Sequence, residues 1–219
     1  MKQFRAILIC LLAAVLLLPG CSASTETFEE KEYTAKGTEI RAVTIDVRDR
    51  NIQVQSSQEG VVSIRYRESE KEAYGFSVSD EGVLTMTYEP HKDWQDHIGG
   101  KASLENRTIV LTVPEDTLCS LEISTTNEDI SIGPLKAEAV SADANNGNIQ
   151  IEKLDVGSSA AFSTKNGDIK GTLAGSYDDF TISSQVKKGE SNLPERLGSG
   201  EKTLTASANN GDIDIEITG

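Results

Sequence analysis

Asn166-Gly167-Asp168-Ile169 is one copy of the short pattern that decides the fold of this chain of 219 residues. The other full copies are Asn127-Glu128-Asp129-Ile130, Asn146-Gly147-Asn148-Ile149 and Asn210-Gly211-Asp212-Ile213, and a degenerate copy, Lys188-Gly189-Glu190-Ser191, fills the longest gap. The second position of the pattern falls at 128, 147, 167, 189 and 211, in steps of 19, 20, 22 and 22 residues. The C-terminal half is therefore a tandem repeat.

Each repeat unit encodes turns and short strands. Asn-Gly readily accepts positive φ at two successive positions, which predicts a tight turn. After the turn, apolar and polar residues alternate, as in Ile213, Ile215 and Ile217, which places every second side chain on one face of a strand. One such unit cannot bury its own apolar face, so neighbouring units must stack.

Two all-β architectures satisfy this requirement. In a β-solenoid, or β-roll, each period is one coil and the Asn-Gly corners pile up at the strand spacing of about 4.8 Å. In an antiparallel meander or sandwich, each Asn-Gly closes a hairpin. We favour the solenoid of short strands, because near-identical turns in constant phase are what stacked equivalent coils require.

The N-terminus predicts export and membrane anchoring. Residues 1–20 combine two positive charges with an apolar run that is too short to span a bilayer, which is typical of a signal peptide. The ending Leu18-Pro19-Gly20-Cys21 resembles the bacterial lipobox, which implies a diacylglyceryl group on Cys21 and a place on the extracytoplasmic face of the cell membrane. The alternative is an ordinary secretory peptide. Residues 21–37 are polar and acid-rich, and we predict a flexible tether there.

The formal net charge is -14, and losing Lys2 and Arg5 with residues 1–20 makes it -16. This charge disfavours nucleic acid as a partner and attracts cations, including cationic peptides. Beyond Cys21 the exported part contains only Cys119, so it has no disulfide framework. No sequence motif calls for a cofactor.

Residues 38–219 form one predicted all-β domain, with less regular strands in 38–118 and the repeats in 119–219. The strand Leu111-Thr112-Val113-Pro114, followed by the run of Ser/Thr-x-x-Asn-Gly-Asp-Ile units, resembles the bacterial "putative adhesin" family, a domain of unknown function. The resemblance covers nearly all of the mature chain. It implies a β-solenoid-like envelope domain with no established enzymatic activity.

The loop from Pro90 to Gly100 interrupts the strand rhythm, and it holds the only Trp and both His of the chain. Binding tends to be placed on such loops, and a Trp offers a stacking face for a sugar or an anchor for a protein. The candidate contact residues are His91, Trp94, Asp96 and His97. Their spacing matches no zinc signature, so we predict no metal there. The alternative is a hydrophilic loop with Trp94 folded onto the sheet edge.

The repeat turns are predicted to be structural, at Asn127, Asn146, Gly147, Asn166, Gly167, Asn210 and Gly211. The stacked Asp129, Asn148, Asp168 and Asp212 admit two alternatives, calcium binding or polysaccharide cleavage. We predict no catalytic residue, because catalysis needs unlike carboxylates and a repeat supplies like ones.

Three hypotheses follow for function. The first is a non-enzymatic, lipid-anchored envelope domain that binds an envelope or surface protein or a glycan through the Trp94 loop. The second is an envelope-stress or protective protein whose acidic surface binds cationic peptides or divalent ions. The third is a carbohydrate-active β-helix enzyme.

Overall fold

A computed structural model describes residues 26–35, 40–91, 101–115 and 118–219. The proposed signal peptide, Cys21, Trp94, Asp96 and His97 lie outside these residues. The strands are β1 Glu29–Thr34, β2 Ala42–Asp46, β3 Asn51–Ser57, β4 Ser63–Glu68, β5 Glu72–Val78, β6 Val83–Pro90, β7 Thr108–Pro114, β8 Leu118–Asn127, β9 Ile130–Ile132, β10 Leu135–Asn146, β11 Ile149–Asn166, β12 Ile169–Ala174, β13 Phe180–Lys188, β14 Arg196–Leu197, β15 Lys202–Asn210 and β16 Ile213–Thr218. Two 3₁₀ turns, Glu105–Arg107 and Tyr177–Asp179, complete the described elements.

The strands form one continuous 16-stranded sheet that folds into two walls joined through β11. The first wall has the order β5-β6-β2-β8-β10-β11-β15-β13-β14, and the second has the order β1-β4-β7-β3-β9-β11-β12-β16. The two halves of β11 serve different walls: Ile149–Ile151 pairs with β9 and β12, and Ser159–Asn166 pairs with β10 and β15. The fold is the predicted β-solenoid.

Strand direction rejects the hairpin meander. Pairing is parallel throughout the middle of both walls. Among the described strands, antiparallel pairs occur only towards the ends, between β1 and β4, β4 and β7, β5 and β6, and β13 and β14. An Asn-Gly turn here passes the chain from one wall to the other and does not reverse it within a sheet.

The core lies between the walls and consists of stacked identical positions. Ile149 is opposite Ile130 on one side and Ile169 on the other, and Ile169 is opposite Ile213. All four side chains are at most 1% exposed. Full burial of such an aliphatic side chain stabilises the fold by about 1.5–3 kcal/mol, so the ladder of isoleucines keeps the coils in phase.

In four of the five copies of the pattern the second residue has positive φ and the first does not, at Glu128, Gly167, Gly189 and Gly211, with φ between 136° and 156°. The prediction of positive φ at the Asn position is therefore wrong for these four copies. A corner between walls turns the chain less sharply than a hairpin does. The glycine is needed for space as well. A Cβ on Gly211 would lie 1.9 Å from the carbonyl oxygen of Gly167 in the next coil.

The coils are not stacked in the order of the sequence. The first coil, β2 and β3, lies between β6/β7 and β8/β9. The last coil, β15 and β16, follows β11/β12, with β13 beyond β15 and Ser191 beyond β16. The β16 strand is consequently less open than a terminal strand would be. Ser191 bridges Ile213, and the Asn192 side chain donates to the Ile215 carbonyl at 3.1 Å and accepts from its N–H at 3.0 Å.

The prediction of a flexible tether over 21–37 is wrong for Glu29–Thr34, which forms β1. This strand pairs antiparallel with β4 and stacks Tyr33 on Phe76, with ring centroids 4.5 Å apart. Its acidic composition suits an edge strand that faces solvent and pairs with arginines, as Glu30 does with Arg67 at 3.2 Å. The domain therefore begins earlier than residue 38. Within the described residues, no helix is long and apolar enough to cross a membrane.

Candidate functional site

The predicted turn residues line one long edge of the solenoid, which we call the corner edge. Each asparagine at the first corner position donates its amide to the asparagine of the neighbouring coil. The Nδ2 to Oδ1 distances are 2.7 Å from Asn146 to Asn127, 2.6 Å from Asn166 to Asn146, and 2.6 Å from Asn210 to Asn166. The predicted structural role of these turns therefore has a geometric basis: the side chains bind one another.

The amide ladder is directional. Every N–H points towards the β2/β3 coil, where Asn127 donates to the Asp49 carboxylate at 2.6 Å. At the other end, Lys188 lies opposite Asn210. Because the amide dipoles add along a chain of hydrogen bonds, an anion at the donor end and a cation at the acceptor end are the stabilising arrangement.

A second ladder runs along the third corner position. Its side-chain oxygens each accept a backbone N–H from the next coil: Asp129 from Asn148 at 2.7 Å, Asn148 from Asp168 at 2.9 Å, and Asp168 from Asp212 at 2.9 Å. The Asp212 N–H, followed by Lys170, holds the pKa of Asp168 below its ordinary value. At Asp168 the ladder therefore favours an ionised acid whose oxygen is committed to a backbone amide, which is unsuited to acid and base catalysis.

Divalent-ion binding by the stacked carboxylates of the corner edge was one alternative that the sequence admitted. In the part of the chain that the structure describes, no group of three or more His, Cys, Asp or Glu side chains is arranged to hold a metal. Lys170 contributes a cation next to the ladder, 2.9 Å from Asp168. The absence of a metal and of a catalytic residue remains a prediction.

The long loop leaves the solenoid at the corner edge. His91, the one predicted loop residue that the structure describes, is exposed directly after β6, and its N–H donates to the Lys71 carbonyl at 2.9 Å. The chain returns through Lys101, whose Nζ lies 3.3 Å from Glu128 and 3.5 Å from Asp49. The returning end of the loop thus sits beside the first corner of the ladder.

Arg107 completes this attachment, which we call the loop base and define as Lys101, Arg107, Asp49 and Glu128. The Arg107 guanidinium is paired with Glu128 and donates to the Ala102 carbonyl at 2.8 Å. Sequence reasoning missed these residues. The available signal was Glu128 itself, since it replaces the corner glycine and still adopts φ 144°.

A buried charged group lies under the same corner. Arg50 stands at the glycine position of its own corner and is 1% exposed. It pairs with Glu72, donates to the Tyr74 hydroxyl and lies 4.7 Å from the ring centre of Tyr88. Burial, which outweighs the neighbouring guanidinium, raises the pKa of Tyr74 to about 12. The group closes this end of the core and is not open to a ligand.

These features define a two-walled β-solenoid whose corners are tied by amide and carboxylate ladders. Residues 40–176 match the Toastrack DUF4097 family, and the chain belongs to that family. The match confirms the resemblance found in the sequence; it does not bear on lipidation.

A solved structure supports the fold. A "putative cell adhesion protein" from Clostridium sporogenes has a TM-score of 0.54 and 14% identity, covering 87% of this chain and 100% of that one. A "putative adhesin" from Bacteroides fragilis has a TM-score of 0.35 at 12% identity, covering 86% and 97%. A "putative lipid binding protein" from Parabacteroides distasonis has a TM-score of 0.29 at 11%, covering 85% and 96%. The last two are too distant in structure to support an argument. No curated protein matches the sequence.

Proposed function

We propose that this protein is a non-enzymatic, lipid-anchored domain of the bacterial cell envelope that presents a rigid β-solenoid as a scaffold for adhesion or binding. The observation that carries the proposal is the corner edge. Its polar side chains are held in hydrogen-bonded ladders, and the chain's long non-repetitive loop is attached to it by the charged loop base. A stiff support that carries a long non-repetitive loop is an arrangement suited to recognition.

The ladders argue for a scaffold and against turnover. Catalysis by paired carboxylates needs one acid tuned differently from the other. Along the corner edge, Asp129, Asp168 and Asp212 stand at equivalent positions, and each accepts a backbone N–H at 2.7–2.9 Å from the next coil. A family named only for its fold and a structural relative named for cell adhesion are consistent with this proposal.

The favoured contact is the loop with His91, Trp94, Asp96 and His97, and the favoured partner is an envelope or surface protein or a glycan. Trp94 supplies the large amphipathic surface that such contacts use. Support comes from the loop base, where Lys101 and Arg107 hold the returning chain against Glu128.

Binding can be tested with the full chain immobilised from detergent and exposed to purified cell-wall sacculi and to the envelope-protein fraction of the producing bacterium. We expect saturable binding that falls at least about tenfold in Trp94→Ala, the scale of a central aromatic contact. Tyr177→Ala is the matched control, because Tyr177 is an aromatic residue 41% exposed in a different turn. Binding to neither material, or equal losses in the two variants, would refute the loop as the contact.

Anchoring is tested separately by membrane fractionation. We expect Cys21→Ala to move the protein from the membrane fraction to the soluble fraction. Cys119→Ala is the control, since Cys119 is an exposed thiol on β8 and should leave fractionation unchanged. Retention of Cys21→Ala in the membrane fraction would contradict lipidation at Cys21.

The net charge of -14 supports a second candidate, capture of cationic peptides or divalent ions by a protective envelope protein. It predicts binding of a lysine-rich peptide that weakens with salt and survives Trp94→Ala. Peptide binding that disappears in Trp94→Ala would favour the loop instead.

A further inference from the structure

We propose that the end of the solenoid formed by β13 and β14 is a docking site for an extended, acidic segment of a partner polypeptide, which would add a strand to the first wall. This site goes beyond the proposed function. It lies far from the loop, because β6 and β13 are six strand spacings apart in the wall, or about 29 Å.

The first argument is an incomplete sheet edge. The short β14 strand pairs with β13 only at Ile182 and Ser183, and the Ser184 N–H donates to the Glu195 carbonyl at 3.0 Å. Beyond Ser184, no strand in the described residues covers this side of β13. Backbone groups of a strand alternate in direction, so the N–H and C=O of Val186 point the same way as the Ser184 N–H. They are available to another strand.

The second argument is the space beside this edge. After β13 the chain crosses towards the second wall, where Ser191 bridges Ile213 and Leu193 is buried, before it returns as β14. This detour leaves an open groove of about 640 Å³ whose lining includes Gln185, Val186 and Arg196. An extended segment therefore has room beside β13.

The third argument is charge. Lys187 and Lys188 end β13, and Arg196 lies opposite Ser183 in β14. None of the three forms a salt bridge with a described residue, whereas Lys101, Lys170 and Arg67 do. The groove contains one carboxylate of its own, on Glu195. Unneutralised cations on a chain of net charge -14 favour an acidic partner.

The backbone edge selects a polypeptide over other anions. A polysaccharide or a lipid headgroup can satisfy the cations, but only a peptide strand also matches the N–H and C=O of Val186. The opposite end of the solenoid carries acidic side chains instead. The β1 strand exposes Glu29, Glu30 and Glu32 along its edge. Acidic strands are repelled there, so the two ends are distinguishable.

The test uses the full chain in detergent and a labelled, capped seven-residue peptide of alternating Glu and Val, measured by fluorescence anisotropy. We expect the double variant Lys187→Glu, Arg196→Glu to bind at least about tenfold more weakly. The matched control is Lys136→Glu, Lys165→Glu, which makes the same change in charge at exposed lysines of the same wall. The control should change the affinity less than about twofold.

A second comparison separates strand addition from simple charge attraction. Peptides N-methylated on alternate residues lose the backbone donors of one edge, and one of the two alternating sets should abolish binding while the other leaves it. Val186→Pro should also abolish binding, since it removes the outward N–H, and proline is tolerated on edge strands.

The inference is overturned by any of three results. The peptide does not bind at millimolar concentration; binding is unchanged by charge reversal at Lys187 and Arg196; or both N-methylated sets bind as well as the parent, which would make the site a general polyanion surface. Self-association of the chain that depends on Lys187 and is competed by the β1 sequence would assign the site to a second copy instead. Loss of Trp94 leaves all of these readouts unaffected.

Discussion

The corner glycines should be the least replaceable residues of the repeat. In Gly211→Ala, the new Cβ would lie 1.9 Å from the Gly167 carbonyl oxygen, where 3.0 Å is the closest tolerable approach, so adjacent corners must separate by about 1 Å. That movement breaks three bonds of 2.6–3.0 Å: from the Gly167 N–H to the Asn210 carbonyl, from Asn210 to Asn166, and from the Asp212 N–H to a corner carboxylate. Each is worth about 1 kcal/mol.

The backbone adds to this cost, because φ 145° at Gly211 is unfavourable for alanine by about 1–3 kcal/mol. The total is about 4–6 kcal/mol, or a fall in Tm of about 10–20 °C for a domain of this size. Thermal unfolding followed by far-UV circular dichroism measures it, with Gly60→Ala as the control, since nothing lies within 4 Å of a Cβ there. A Gly211→Ala protein with the Tm of Gly60→Ala would refute the corner argument.

Three further predictions concern charged residues. Glu128→Gly should be more stable than Glu128→Ala by about 1–3 kcal/mol, because both lose the bond to Arg107 and only glycine tolerates φ 144°; equal urea midpoints would contradict this. Asp168, whose pKa is lowered in the fold, stabilises the protein above its unfolded pKa of about 4, and this contribution disappears as pH falls through the folded pKa. The stability advantage of wild type over Asp168→Asn should therefore vanish on acidification, and a gap that persists at pH 2 would be the contrary result. Arg50→Met should cost about 3–5 kcal/mol by removing the cation beside the buried Glu72, and adding Glu72→Gln should recover part of the loss; no recovery would mean that the ion pair is not the cause.

The repeat was readable from the sequence because each corner is encoded locally and copied. Asn-Gly-Asp-Ile fixes a bend, a backbone-binding carboxylate and the first core residue in four consecutive positions. Equivalent residues of neighbouring coils then stack on one another because the period is nearly constant. The register of Asn146 with Asn127 and Asn166 confirms this. The all-β class was predictable for the same reason, and parallel pairing was favoured over the antiparallel meander until the structure decided between them.

The candidate site was only partly predictable. The sequence singled out the long loop, but nothing local indicated that Lys101 and Arg107 would return to Glu128, since these contacts join residues 21 or more positions apart. The β1 strand was also missed, because its acidic composition resembles a tether until the arginines of β4 are placed beside it.

The sequence by itself determined the all-β class, the repeated corners and the alternating core, and it favoured the β-solenoid over the meander, since each depends on short-range periodicity and backbone geometry. Only the tertiary structure decided that the first coil lies inside β6/β7, that β15 lies inside β13, and that β14 covers the outer edge of β13 only in part, which leaves an open edge beside Lys187, Lys188 and Arg196. Equivalent coils present nearly identical surfaces to one another, so the repeat permits several stacking orders. The end contacts, which join residues remote in the chain, select among them.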